Sequence, residues 1–396
     1  MALPELRTAA VVGTGLIGTS VALALTARGV TTYLIDRDEA AARTAAALGA
    51  GTVGAPPAPV DLAVLAVPPG TVAQVLEEHQ KDGLAQAYTD VAGVKARTQA
   101  DLEARGCDLT SFVGGHPMAG RERSGPRAGR ADLFDGRPWV LTPHPATEPA
   151  VLRRGLELVR LCGSVPVVLG PDAHDRAVAL VSHVPHLLAT LMAARLCDGE
   201  DFAVRLAGQG LRDVTRIAAG DAGLWTDILA TNAEAVAEVL GGLAEDLDVA
   251  LRALRALAAH PSGPARSDPA AELTALLRRG NTGRARIPGK HGGTALPYSS
   301  VRVVLRDRAN ELARLLADAS LTGANIEDIR LEHATHKDAG LVELLVAGES
   351  AGRLAAGLTR RAWTVHVERP GARRPNDSGP KGPWQAIPGV RLCGQQ

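Results

Sequence analysis

The feature that most constrains this chain is a glycine turn with regular structure expected on both sides of it. Residues 8–12 form a short apolar run that ends in Gly13-Thr14-Gly15-Leu16-Ile17-Gly18, after which Val21, Ala22, Leu25 and Ala27 recur at helical spacing up to Gly29. Residues 32–35 make a second strand, closed by Asp36. Strand, tight turn, helix, strand and acidic residue, in that order, describe the first unit of a doubly wound α/β sheet that binds a dinucleotide. The glycines let the backbone approach a pyrophosphate at a helix N-terminus, where free amides and the helix dipole favour negative charge. A carboxylate at the end of the second strand accepts hydrogen bonds from a ribose and repels a 2′-phosphate, so NAD is expected over NADP. Gly13, Gly15, Leu16, Ile17, Gly18, Asp36 and Arg37 are the candidate cofactor residues of this unit. Arg37 has three open roles: stacking on adenine, pairing with a 2′-phosphate, or facing solvent.

The alternation continues. A buried-type strand over residues 62–67 stops at Pro68-Pro69-Gly70, which adds Val67 and Pro68 to the cofactor set, and residues 71–78 read as its helix. Residues 87–90 form a strand, Val91-Ala92-Gly93-Val94-Lys95 a loop, and 96–105 a helix. Residues 111–113 then lead into Gly114-Gly115-His116-Pro117-Met118-Ala119-Gly120 and, farther on, Ser124-Gly125. Glycines and a proline predict an irregular loop here that passes close to a bound molecule. Histidine titrates nearest to neutral pH, so His116 is the candidate proton acceptor. Ligands of such sheets lie beyond the carboxyl ends of the strands, where the Pro68, Gly93 and His116 segments would converge. Strands over 139–142 and 165–169, with a helix between them, close a nucleotide-binding domain of residues 1–170.

Strand signals stop at Pro171. Residues 172–195, 201–219 and 224–258 read as leucine- and alanine-rich helices. The last would be about 50 Å long at 1.5 Å per residue, too long for one small domain to cover. Intertwined helices of a homodimer are therefore expected in this 171–285 domain. Two polar clusters interrupt it. In Ser182-His183-Val184-Pro185-His186 the two histidines lack a carboxylate at metalloprotease spacing, so no metal is expected. In Gly208-Gln209-Gly210-Leu211-Arg212-Asp213-Val214-Thr215-Arg216-Ile217, Arg212 is read as solvent-facing. Arg216 runs straight into Ile217-Ala218-Ala219, which predicts a partly buried guanidinium that needs an anion such as a substrate carboxylate.

Forty-three basic and forty-three acidic residues balance to zero net charge, which indicates no nucleic acid or other polyanion as partner. Cys107, Cys162, Cys197 and Cys393 are widely separated, as in a reducing cytoplasm. No stretch after the first apolar segment is expected to span a membrane.

These motifs together resemble the prephenate and arogenate dehydrogenases of tyrosine biosynthesis. The resemblance rests on Gly13 to Gly18, Thr89-Asp90-Val91 with Val94-Lys95, the His116 segment with Ser124-Gly125, the Ser182 to His186 cluster, and Arg212 to Ile217 with Trp225; it covers residues from about 8 to 290. It implies NAD-dependent oxidative decarboxylation of prephenate to 4-hydroxyphenylpyruvate. In that reaction His116 would take the proton of the ring hydroxyl and Arg216 would hold a substrate carboxylate. Ser182, His186 and Trp225 would line the substrate pocket, with Trp225 open to contribution from the partner subunit. One position departs from the family: a serine commonly precedes the Val-Lys pair, and Gly93 stands there. The departure keeps arogenate or 4-amino-4-deoxyprephenate as alternative substrates. A non-catalytic nucleotide and amino-acid sensor is the reading from another class.

Residues 280–296 are glycine-rich and basic, which reads as a linker, placed at 286–297. Strands over 299–305, 326–333, 341–346 and 364–367, with helices over 311–320 and 351–361, follow. This βαββαβ order over 298–368 looks like an ACT domain, for which tyrosine is the expected effector. Residues 369–396, rich in proline, glycine and arginine, are expected to be disordered.

Overall fold

The alternating strands and helices of the N-terminal half assemble into a single eight-stranded sheet. The computed structural model describes residues 6–120, 124–260, 262–287, 298–306, 308–333 and 339–368. In chain order the elements are β1 (Thr8–Val12), α1 (Leu16–Thr26), β2 (Thr31–Ile35), α2 (Glu39–Ala47), β3 (Thr52–Val53), β4 (Leu62–Leu65), α3 (Val72–Lys81) and β5 (Tyr88–Asp90). Then come α4 (Ala96–Ala104), β6 (Phe112–Pro117), β7 (Pro138–Pro143), α5 (Pro149–Leu161) and β8 (Val165–Val168). The sheet order is β3-β2-β1-β4-β5-β6-β7-β8. All neighbours are parallel except β7, which runs antiparallel to β6. The strand order reverses between β1 and β4, so the crevice beyond their carboxyl ends is where a dinucleotide is held in folds of this kind.

Helices cover both faces, which is why β1 and β4 read as unbroken apolar runs. On one side Val11, Leu34, Val64, Leu141 and Leu158 pack with α1 and α5; on the other Ala10, Leu65, Leu76, Tyr88 and Leu102 pack with α3 and α4. The β1–α1 turn admits only glycine at two points. Gly13 sits at φ +95°, and a Cβ there would overlap the Ala66 carbonyl, while one on Gly18 would overlap the carbonyl of Gly13. At Gly15, by contrast, nothing lies within 4 Å of the place a Cβ would take.

The segment around His116 is not the irregular loop its glycines predict. Gly114, Gly115 and His116 lie within β6 and pair with β7, His116 opposite Val140. The glycines are there for close packing. A Cβ on Gly114 would overlap the Thr142 hydroxyl, and one on Gly115 would stand 2.5 Å from the Asp90 carbonyl and 2.9 Å from Thr89 Oγ1. Glycine within a strand marks just such a close approach.

The helical half comprises α6 (Pro171–Val178), a π-helical segment (Ala179–His183), α7 (Val184–Ala194), α8 (Asp201–Arg205), α9 (Gln209–Thr215), α10 (Ala222–Thr231), α11 (Ala233–Ala259) and α12 (Ser267–Ala285). Two expected helices are broken. Residues 201–219 divide at Gly208, the N-cap of α9. Residues 224–258 divide at Asn232, whose backbone leaves the helical region at φ −116° and ψ 31°. The run from Pro171 to Asp198 is long and apolar enough to cross a membrane by length and composition, against the expectation that no later stretch would be; a third of its most apolar window is buried. Leu180, Val181, Leu188 and Leu191 are among its exposed residues.

The chain divides into two compact units at Asp248/Val249, within α11. The second unit therefore takes in α12, which passes through Gly280 and Gly283 and so occupies the start of the expected linker. Gly289-Lys290-His291-Gly292-Gly293 and the 369–396 tail lie outside the described residues. Farther on are β9 (Tyr298–Arg306), α13 (Glu311–Ser320), β10 (Ile326–His333), β11 (Ala339–Ala347), α14 (Gly348–Thr359) and β12 (Val365–Glu368). They form a sheet of order β10-β11-β9-β12, every pair antiparallel, over a core that includes Val303, Leu315, Leu344 and Leu354. This is the βαββαβ order read from the sequence.

Gly115→Ala forces the β5–β6 contact apart. It should cost about 1–3 kcal/mol, the usual range for overpacking a well-filled interior, read as a lower denaturation midpoint in urea. An unchanged midpoint would mean that the strands part without cost.

Candidate active site

The ends of β5 and β6 are tied by one buried carboxylate. Asp90 Oδ1 accepts the Gly115 amide at 2.8 Å, and Oδ2 accepts the Ala92 amide at 3.1 Å and is also bonded by Lys95 Nζ. Lys95 Nζ donates in addition to the Gly115 carbonyl at 2.7 Å. Burial lowers the Lys95 ammonium pKa, and the charge of Asp90 opposes that shift. The pair is wholly inside the protein and grips both the amide and the carbonyl of the residue before His116, so it positions that histidine.

His116 is partly accessible at the end of β6. Its Nδ1 lies 2.8 Å from Nε2 of His174, and His174 Nδ1 lies 2.7 Å from Asp175 Oδ1. Both partners are buried near the start of α6. The Asp175 carboxylate also accepts the backbone amides of Lys95 and Ala96, each at 2.9 Å. Burial alone would raise the Asp175 carboxyl pKa, but His174 and these amides together hold it below the usual carboxylate range. The Nε2 edge of His116 faces Gly93, where an added Cβ would stand 3.6 Å from that nitrogen. Burial, followed by the neighbouring His174, Lys95 and His183, pushes the His116 imidazole well below its ordinary value. Neutral at pH 7, it is a base with a free lone pair.

The Ser182 to His186 cluster divides between two tasks. His183 is buried, and its Nδ1 lies 3.1 Å from Asn232 Nδ2, which also donates to the Asp175 carbonyl at 2.9 Å. His186 stacks on Trp225 with ring centroids 3.5 Å apart and planes 8° from parallel. That stack requires glycine at position 220, since a Cβ there would meet the Trp225 indole nitrogen and stand 3.0 Å from His186 Cε1. Ser182 is half-buried. Arg216 is exposed, not partly buried as its apolar neighbours predicted. Ile217, Val214 and Leu224 around it are exposed as well, so this face of the helical half leaves its apolar side chains uncovered.

At the glycine turn the residues fit a dinucleotide. No side chain caps the N-terminus of α1, and open space lies beside Gly15. Asp36 Oδ2 accepts the Thr14 amide at 2.6 Å and the Thr14 hydroxyl at 2.7 Å, which ties the end of β2 to the turn. Burial would raise the Asp36 carboxyl pKa, but the Thr14 and Asp38 amides hold it low, so the group stays charged. A cleft of about 600 Å³ opens beside it, lined also by Gly54, Pro56 and His79. Arg37 is exposed next to Asp36; around the ends of β1 and β4, Leu16, Ile17 and Val67 are part-buried and Pro68 is exposed.

His174, Asp175, Asn232 and Gly220 were not singled out in the sequence. The available signal was a His-Asp pair and an asparagine set in the most apolar part of the chain.

Two family models match the chain: the nucleotide-binding domain of prephenate dehydrogenase over residues 21–169 and its dimerization domain over 170–260. The probable prephenate dehydrogenase NovF of Streptomyces niveus is 44% identical over 363 residues, 91% of this chain and all of that protein. This chain belongs to the prephenate dehydrogenase family. The match with the Streptomyces protein is long enough to reach into the C-terminal unit. The cyclohexadienyl dehydrogenase of Zymomonas mobilis is 31% identical over 252 residues, 60% of this chain and 85% of that one. Among solved structures, prephenate dehydrogenase from A. aeolicus in complex with hydroxyphenyl propionate and NAD+ aligns with a TM-score of 0.62 at 26% identity, covering 72% of this chain and 99% of that one. Synechocystis arogenate dehydrogenase aligns with a TM-score of 0.59 at 28% identity, covering 70% and 98%. The N-terminal domain is thus the NAD-binding domain of a dehydrogenase.

A reaction that uses His116 as base needs it unprotonated. Because burial depresses its pKa, the acid limb of kcat/KM should have its midpoint below about pH 6.5, the ordinary histidine value. A midpoint at or above 7 would show that the base is another group.

Proposed function

We propose that this protein is an NAD-dependent prephenate dehydrogenase that converts prephenate to 4-hydroxyphenylpyruvate for tyrosine synthesis. The observation that carries the proposal is the placement of His116, its Nε2 edge facing Gly93 and its Nδ1 held by His174, in a chain 44% identical to a probable prephenate dehydrogenase. His116 Nε2 takes the proton of the ring hydroxyl as the O–H bond breaks. The Gly13–Gly18 turn and Asp36 would hold NAD, which would supply the acceptor for the hydride of the same ring carbon. The ring carboxylate leaves as carbon dioxide, its bonding electrons complete the aromatic ring, and aromaticity makes the step effectively irreversible. Arg216 holds a carboxylate of the substrate through its two-pronged guanidinium, and Ser182 and the His186–Trp225 stack border the ring. Asp36 favours NAD by repelling a 2′-phosphate.

The active form is a homodimer. The dimerization-domain match over residues 170–260 and the exposed Leu180, Val181, Leu188, Val214 and Leu224 support this assembly, which supplies a cover for the Arg216 face. The C-terminal βαββαβ unit is an ACT-like domain with tyrosine as its effector. Free thiols at Cys107, Cys162 and Cys197 accord with a cytoplasmic setting.

A second substrate is favoured by one feature. A serine hydroxyl at position 93 would fall within hydrogen-bond reach of His116 Nε2; Gly93 leaves that space free for a different ring substituent, as in 4-amino-4-deoxyprephenate or its arogenate relatives.

Reduced-cofactor absorbance with prephenate, arogenate and 4-amino-4-deoxyprephenate, each with NAD and with NADP, tests both readings. Turnover of prephenate with NAD is expected. Turnover of the amino compound alone would transfer the assignment to it, with Gly93→Ser then gaining activity on prephenate. Absence of turnover with all three would restore the reading as a sensor. In the active enzyme His116→Asn should lower kcat on the order of 100-fold or more with little change in KM, whereas Arg216→Lys should chiefly raise KM. Wild-type kinetics in both variants would misplace the site. Tyrosine titrated into the assay should inhibit, and undiminished activity at saturating tyrosine would remove the effector assignment.

A further inference from the structure

The hydrogen bonds behind His116 leave little freedom in where its protons sit. The Asp175 carboxylate is ionised, so it only accepts. It takes the Lys95 amide at 2.9 Å and His174 Nδ1 at 2.7 Å on Oδ1, and the Ala96 amide at 2.9 Å on Oδ2. The proton shared with His174 therefore lies on Nδ1 of that ring. With Nδ1 as donor, neutral His174 presents a bare Nε2 to His116, 2.8 Å away. Nδ1 of His116 must then be the donor, and its lone pair falls on Nε2, the nitrogen that faces Gly93.

We propose that His174 and Asp175 are positioning residues for the catalytic base: they fix the His116 tautomer with Nε2 unprotonated and stabilise the imidazolium that forms when that nitrogen takes the substrate proton. Other neighbours are already occupied. Lys95 is paired with Asp90 and the Gly115 carbonyl, and His183 Nδ1 is engaged by Asn232. Among the described residues His174 is the partner of His116 Nδ1. The two imidazoles meet edge to face, with centroids 5.0 Å apart and planes at 71°, which aims the Nδ1–H bond into the neighbouring ring's edge. When His116 gains a proton, that bond becomes charge-assisted, and the nearest anion is the Asp175 carboxylate one ring farther along. No bond to carbon changes in this device. One proton is received at Nε2, and its charge is met through two hydrogen bonds.

This inference rests on the assignment of His116 as base, and its test separates the two. In protein labelled with 15N-histidine, the ring nitrogens of His116 should show Nδ1 protonated and Nε2 bare at pH 7.5, with no substrate needed. His174→Leu should convert that signal to a mixture of tautomers. The same variant should lower kcat on the order of 100-fold, the usual worth of a well-placed general base, with KM changed less than about threefold. His174→Gln, whose side-chain oxygen can accept the His116 Nδ1 proton, should restore part of both the signal and the rate. If the leucine variant is poorly folded, the glutamine variant alone still decides: a wild-type rate would show that the link to Asp175 is unnecessary. An unchanged His116 tautomer in a folded His174→Leu protein would overturn the proposal, even if prephenate is the substrate. A fixed tautomer in a wild-type protein that oxidises none of the three cyclohexadienyl substrates would leave the positioning intact and remove the functional assignment.

Discussion

One buried carboxylate joins the two halves of the catalytic unit. Asp175 lies at the start of the helical half, yet its oxygens accept the amides of Lys95 and Ala96, which open α4 of the nucleotide-binding sheet. From the other direction Asn232 reaches the Asp175 carbonyl from the break between α10 and α11. An anion out of water is expensive unless every lone pair is met. Here three donors meet it, so moving the helical half away from the sheet would strand a charge. The orientation of His174, and through it of His116, is a consequence of that tie.

A second buried charge works from beneath. Asp90 and Lys95 hold both the amide and the carbonyl of Gly115, and they can do so only because glycines at 114 and 115 let β6 lie close against β5 and β7. The glycines that resemble a loop signature are thus a packing requirement, and the catalytic candidate stands on a rigid strand. Rigid placement matters for a base, because a loss of about 1 Å in alignment can cost on the order of 100-fold in rate.

The helical half carries the opposite property. Its polar side chains are well satisfied around Asp175, but its outer apolar residues are exposed on the single chain, and the Pro171–Asp198 run is apolar enough to pass for a membrane helix. The family model matched over this region is that of a dimerization domain. Arg216 lies on the same uncovered surface, which explains why its apolar neighbours misled as to its burial.

The sequence by itself determined the nucleotide-binding half, the βαββαβ order of the C-terminal unit and the identities of His116 and Arg216 as candidates. Strands 8–12 and 326–333 and the helix over 311–320 were legible to the residue, because hydrophobic period, glycine geometry and chain order are local properties. Tertiary structure alone decided that His116 belongs to a strand, that the long helix breaks at Asn232, and that Asp175 and His174 stand behind the base. Each of these depends on a partner dozens of residues away. A glycine spared for close approach looks locally like a glycine in a loop, and a carboxylate 80 residues from the backbone amide it accepts has no periodicity to betray it.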